Sequence, residues 1–540
     1  MHAVNHSAGA CRVPMTMRPY RAVLPGIAIV LLVWGTFVRG WGLWQRPFWV
    51  DEAWVANAVT GQTCDELLRQ TELPMPPLFA ISVRLLGRAI PPPEFGLRLI
   101  PLACGIACLP LSYLVTRSLR VPRSIALVGM SLCASSLMLV RWSRELKQYE
   151  IEAFCSLLLA WLVFRMRFGR QWTSTVGSTL VVLVCLFGPW FGYGVVFPAT
   201  ALMMALILAG ITSRAPRGLL YAGLAGLAAL ALSVAGVLYV AASAQSRQPA
   251  LVAFTSNWFI DPANLHDWLR AGYYAAGSAS TVFFPAQWVE TRDVNEQALV
   301  YGMLAAVVWL LALIGLWRWP GRGRREMICW VVGPWLLLLT AALARRYPFA
   351  QPRMMVFAAA PLVLVVAAGL VRFIRGCATV FLGRGGPGVV AAGVITLLPV
   401  TYMVNVPLRQ QHTMLLDCPA LLAVLDHEYR PGELVVVTHM AGPCVQFYVD
   451  ESRYPLVYMP NQAGSLRMPG VDGQAFAADV LDRAGIRWWI VTLSEWADTD
   501  LATLGQAAQR RGYKVRIFVG EQSRVNGVPR LICLTKEVLR

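Results

Sequence analysis

Long apolar runs separated by short arginine-rich turns dominate the chain as far as about residue 407. The first ends near Val38 after a polar start holding Arg12, Arg18 and Arg21. With no small-residue cleavage pattern behind it, it reads as an uncleaved anchor entering from the cytoplasm. The others fall at approximately 97–116, 122–140, 148–164, 174–190, 193–211, 218–242, 299–317, 327–344, 353–371 and 388–407. A span needs about 20 apolar residues, so the pattern predicts a polytopic α-helical membrane protein of about 11 spans. The run Pro76–Ile90 is shorter and is broken by Arg84 and Arg88, which predicts a helix that is interfacial or re-entrant.

From Leu408 the pattern changes to that of a soluble α/β domain. Strand-like runs at 434–439, 445–449, 487–492, 515–519 and 531–535 alternate with helical stretches near 419–428, 475–484 and 500–511, the last closed by Gly512. The division expected is a membrane domain over 1–407 and an α/β domain over 408–540. Neither a glycine-rich phosphate loop nor a nucleophile motif occurs in the latter.

Composition agrees with the pattern: the chain is 57% hydrophobic, only 14% charged, and carries a net charge of +18. The arginines recur in alternate turns, at 117–123, 165–170, 214–217, 318–325 and 372–384. The positive charge therefore reads as topology and attraction to anionic membrane lipid, not as a nucleic-acid face. Those turns are cytoplasmic on this reading. The loop 41–96, the turn 141–147, the segments 243–298 and 345–352, and the tail lie outside. The aromatic 243–298 segment fits either a lid or a membrane-surface belt. The twelve cysteines show no CxxC pair, and a Cys418–Cys444 disulfide is left open.

Three constellations on the predicted outer face carry candidate chemistry. Asp51 and Glu52 follow Trp41, Trp44, Phe48 and Trp49. They cap a short helix, or one serves as general base, because a sugar hydroxyl must lose its proton as it attacks. The turn 141–150 holds Arg141, Arg144, Glu145, Lys147, Tyr149 and Glu150. Cations there run against the positive-inside bias, which points to an anionic partner, lipid headgroups or pairing with the nearby acids. Arg345, Arg346, Tyr347 and Arg353 repeat this before the 353–371 run and suit either phosphate oxygens or headgroups. Together, one acidic and two basic sites fit group transfer from a lipid phosphate.

The order Trp49-Val50-Asp51-Glu52, Pro76-Pro77-Leu78-Phe79, Arg98-Leu99-Ile100-Pro101 and Arg144-Glu145-Leu146-Lys147-Gln148-Tyr149 resembles the C-type superfamily of polyprenyl-phosphate-sugar glycosyltransferases. That superfamily includes protein O-mannosyltransferases, aminoarabinose transferases acting on lipid A, and lipopolysaccharide-core transferases. The resemblance implies an inverting glycosyltransferase of the bacterial inner membrane, with its active site and its C-terminal domain on the periplasmic side. It places Asp51 as catalytic base with Glu52 its acidic neighbour, and Glu72 as a second acid at the substrate. Arg144, Glu145, Lys147, Tyr149 and Arg353 would meet the donor; Arg345 and Arg346 are substrate-binding candidates from their basic turn alone. It implies a polyprenyl-phosphate sugar as donor, a glycan, lipid or protein acceptor, membrane lipids around it, and no nucleic acid or nucleotide. Relatives often have His-Pro-Pro where this chain has Met75-Pro76-Pro77. A thioether is a poor ligand for a hard cation, so a divalent metal is left to Asp51, Glu52 and Glu72. The rival expectation is a flippase or transporter for a lipid-linked glycan, which predicts charged or broken spans and an internal repeat.

Overall fold

A computed structural model of the protein describes residues 18–69, 75–169, 175–212, 217–245, 259–283, 294–349, 352–381, 418–438, 441–449, 453–458, 487–492, 508–519 and 530–536. The predicted runs from the first anchor to 353–371 all fold as helices. They are α1 (Arg18–Gly40), α6 (Leu99–Ser118), the pair α7 (Arg123–Ser135) and α8 (Leu137–Ser143), α9 (Tyr149–Phe168), α10 (Thr175–Phe191), α11 (Val196–Thr212), α12 (Gly218–Gln245), α14 (Val294–Trp317), α15 (Arg324–Leu343) and α16 (Val356–Phe381). The run 388–407 lies outside the described residues. Among the described residues six helices are long and apolar enough to cross a membrane, or seven if the bent α7–α8 pair is one span.

The bend of 54° between α7 and α8 falls at Ser136. Its extended backbone ends one helix, and its hydroxyl caps the next by accepting from the Leu139 N–H. The same hydroxyl donates to the Val282 carbonyl at 2.8 Å. That residue follows α13 (Leu265–Thr281), a helix inside the predicted outer segment 243–298. Helix α16 is the most enclosed of the candidate spans, and it packs on α14 where Gly315 and Gly369 face each other. A Cβ on either glycine would strike the other helix's backbone, so small residues set this close approach.

Within the loop 41–96, expected to lie outside, the described residues form α2 (Val50–Gly61), α3 (Cys64–Arg69) and α4 (Pro77–Ala89). The run Pro76–Ile90 thus forms a helix of 13 residues, about 20 Å long at 1.5 Å per residue, well short of a span. Its Arg84 is buried and donates to the Val59 and Thr60 carbonyls at the end of α2. A one-turn helix, α5 (Pro93–Gly96), leads into α6.

The described residues of the tail form a five-stranded sheet in the order β2-β1-β3-β5-β4, with β1 (Leu434–Val437), β2 (Leu456–Tyr458), β3 (Arg487–Thr492), β4 (Tyr513–Val519) and β5 (Arg530–Lys536). Strands β2, β1 and β3 are parallel, while β5 runs antiparallel to β3 and β4. Adjacent Trp488 and Trp489 bury on opposite faces, so both sides of the sheet are covered. The helix expected at 419–428 is α17 (Cys418–Glu428); that near 475–484 lies outside the described residues.

One predicted strand is a helix: 445–449 belongs to α18 (Gly442–Tyr448), opened by Pro443 in its first turn. At helical spacing Cys444, Phe447 and Tyr448 share a face, and all three meet Phe48 beside α2. Tertiary contact, not strand alternation, decides this segment. Cys418 and Cys444 are separate buried thiols, so the disulfide left open by the sequence is not formed. Cys444 Sγ lies 3.7 Å from the Phe48 carbonyl oxygen instead.

Candidate active site

Asp51 and Glu52 stand in the first turn of α2, where the helix dipole favours anions. Neighbouring helical residues are turned about 100° apart, so the two carboxylates face different surroundings. Glu52 points inward and is fully buried. Its oxygens accept from Arg98 Nε at 2.7 Å, Arg98 Nη2 at 2.6 Å and the Leu146 N–H at 2.7 Å, with Arg46 at 3.6 Å. Burial by itself would raise its pKa. The charges of Arg98 and Arg46 and these hydrogen bonds outweigh it and hold the carboxyl below the usual range. Arg98 also donates to the Arg46 and Pro47 carbonyls, tying the chain before α2 to the start of α6.

Asp51 faces the other way and is half-buried. Arg353, from the 3₁₀ turn Pro352–Met355 before α16, donates to Asp51 Oδ2 at 3.3 Å. Lys147 and Tyr149 lie within the field of the same pair. Burial pushes the Lys147 ammonium below its ordinary range, with the Asp51 charge opposing that shift. Tyr149 is buried edge-on to Trp142, ring centroids 4.7 Å apart. Asp51, Lys147, Tyr149 and Arg353 thus converge from three distant segments.

The other sequence candidates are placed differently. Arg144 is buried, donates to the Trp41 carbonyl at 2.9 Å, and so fastens the 141–148 turn to the end of α1. Burial, with Arg46 and Arg98 nearby, lowers its pKa to about 10, so it stays a cation at neutral pH. Glu145 is buried, accepts from Arg141 Nε at 2.9 Å and lies 3.9 Å from Arg46. Arg345 and Arg346 are exposed, and their backbone N–H groups close the end of α15 on Ala342 and Ala341. Glu72 lies outside the described residues.

Four residues escaped the sequence reading as site residues. Arg98 and Arg46 hold Glu52, and the position of Arg98 at the head of an apolar run was the available signal. In the first turn of α9, buried Glu152 accepts from the Gly194 N–H at 3.0 Å. A Cβ on Gly194 would strike Glu152 Oε2 and the Phe357 ring, so glycine is required by space there. Tyr448 is the last: its hydroxyl accepts from the Phe48 N–H at 2.8 Å, two residues before α2 begins. Asn57 of α2 donates to the Pro443 carbonyl at 2.8 Å, so α18 holds α2 both before its first turn and midway along it.

Among the described residues no three His, Cys, Asp or Glu side chains come together as a metal cage. Glu52 has committed its oxygens to Arg98 and Leu146, and Met75 is buried in the core. Glu72, the third acid of the expected set, lies outside the described residues, and the chemistry below is built from the chain's own side chains.

No protein-family model matches the chain, and no curated protein matches it in sequence. Solved structures do match its fold. An Archaeoglobus fulgidus oligosaccharyltransferase tethered with an acceptor peptide aligns over 95% of this chain and 74% of its own, at 14% identity and a TM-score of 0.51. The same enzyme in complex with Zn and sulfate gives 0.52, at 13% identity, over 93% of this chain and 72% of its own. ArnT from Cupriavidus metallidurans in the apo state aligns over 96% of this chain and 98% of its own, at 12% identity and a TM-score of 0.50. The chain has the fold of the C-type membrane glycosyltransferases.

Proposed function

We propose that this protein is an inverting glycosyltransferase of the bacterial inner membrane, moving a sugar from a polyprenyl-phosphate donor to a hydroxyl of a glycolipid, polysaccharide or protein on the periplasmic side. The observation that carries the reading is the Asp51–Arg353 pair with Lys147 beside it, a carboxylate and two cations gathered next to apolar helices. The acceptor hydroxyl attacks the anomeric carbon as Asp51 takes its proton. The new carbon–oxygen bond forms while the bond to phosphate breaks, and the electron pair leaves with the prenyl phosphate. Arg353 and Lys147 stabilise that anion, which carries more charge in the transition state than in the donor. Glu52 acts as a positioning residue, its oxygens being engaged by Arg98 and Leu146. The fold shared with the oligosaccharyltransferase and ArnT structures supports the reaction class.

Sugar transfer from radiolabelled polyprenyl-phosphate sugars tests this in membranes holding wild-type protein or Asp51→Asn at equal expression. Loss of transfer by about 10²–10⁴-fold in the variant is expected of a general base. Wild-type transfer by Asp51→Asn would remove the mechanism, and no transfer by either protein with several donors would favour a carrier of lipid-linked glycans.

A further inference from the structure

A cavity of about 860 Å³ opens between the ends of α14, α15 and α16 that lie away from Asp51. Arg353, at the start of α16, marks the candidate active site, and Arg372, near its other end, borders the cavity. At 1.5 Å per helical residue these arginines are about 28 Å apart. That is close to the ~30 Å hydrocarbon core of a bilayer, so the cavity belongs to the opposite membrane face.

Its wall is apolar, with Leu313, Trp317, Ile328 and Phe373 all exposed despite their size. Its rim is cationic, formed by Arg318, Arg324 and Arg372. Arg324 stacks 5.8 Å from the Trp317 ring. Among the described residues none of the three rim arginines has a salt bridge, while the nearby Glu326 is taken by Arg167 at 3.3 Å. Nη1 of Arg372 is buried and has no hydrogen-bond partner there, although Arg318 and Arg375 crowd it with like charge. Several guanidiniums held together beside an apolar slot need an anion that brings its own hydrocarbon.

We infer that this cavity is a binding site for an anionic phospholipid, with the phosphate among Arg318, Arg324 and Arg372 and an acyl chain along Leu313, Trp317 and Phe373. Arginine forks suit phosphate oxygens, and basic pockets between spans select anionic headgroups. The site is separate from the proposed sugar transfer and does not depend on it.

The full-length protein in nanodiscs of phosphatidylcholine with added phosphatidylglycerol provides the test, with retained lipid identified by native mass spectrometry. Phosphatidylglycerol is expected to be retained over phosphatidylcholine. Arg318→Gln and Arg372→Gln should each weaken retention roughly fivefold without lowering the unfolding temperature in pure phosphatidylcholine. Retention by the wild type should fall as salt rises, a readout that requires no variant. Equal retention of the two lipids, or unchanged retention in the double variant, would overturn the site. Displacement of the lipid by inorganic phosphate would reassign it to a free anion.

Discussion

Two adjacent acids with unlike surroundings, Asp51 and Glu52, carry the proposed chemistry at the level of single residues. Glu52 is clamped by Arg98, so Glu52→Ala strands a buried guanidinium and should cost about 3–5 kcal/mol, read as a lowered unfolding temperature in detergent. Because its folded pKa lies below the free value, the Glu52 contribution is complete above the ordinary carboxyl range. It is lost as pH falls through the lower folded value. For Lys147 the pH dependence to read is that of activity. On the proposed mechanism its charged form meets the phosphate, and burial lets that charge go at a pH below the usual lysine range. The kcat/KM profile should therefore fall on an alkaline limb earlier than an ordinary lysine would give, and Lys147→Arg should move the limb upward. The sequence named Asp51, Lys147, Tyr149 and Arg353, but not that Arg144 and Glu145 turn inward. Which way a side chain faces depends on Arg46, Arg98 and Trp41, whose positions no local pattern encodes.

Among the elements, helix positions were legible because apolar runs and arginine turns repeat at a length set by the bilayer. What escaped the pattern was decided by contacts between distant segments. The α7–α8 bend rests on one serine reaching Val282, and α18 is helical because three of its residues seat on Phe48. The turn at Gly194 is a sensitive point. Gly194→Ala presses a methyl group on Glu152 and Phe357 and should cost about 1–3 kcal/mol by overpacking, measurable as reduced thermal stability of the purified protein. Tyr448→Phe removes the hydroxyl that accepts from Phe48 while keeping the ring on its neighbours. If α18 positions Asp51, this variant should lower kcat more than it raises KM, beside a fall in stability of about 1–3 kcal/mol from the buried Phe48 N–H left without its acceptor.

On the scale of the whole molecule, the bundle carries cationic clusters at both ends of α16, one beside an acid and one beside an apolar cavity. A reporter fused after Gly321 should be cytoplasmic and one fused at the C-terminus periplasmic. The opposite result for the tail would separate α18 from the acceptor side on which the proposal depends. The bond between Phe48 and Tyr448 joins residues 400 positions apart. At 5–20 residues per second, roughly 20–80 s of synthesis separate the two partners. Until residue 448 has been made, the acidic turn lacks its grip, so a newly inserted chain passes through a stage in which α2 is in place but not yet held. Truncation before α18 would leave the protein at that stage.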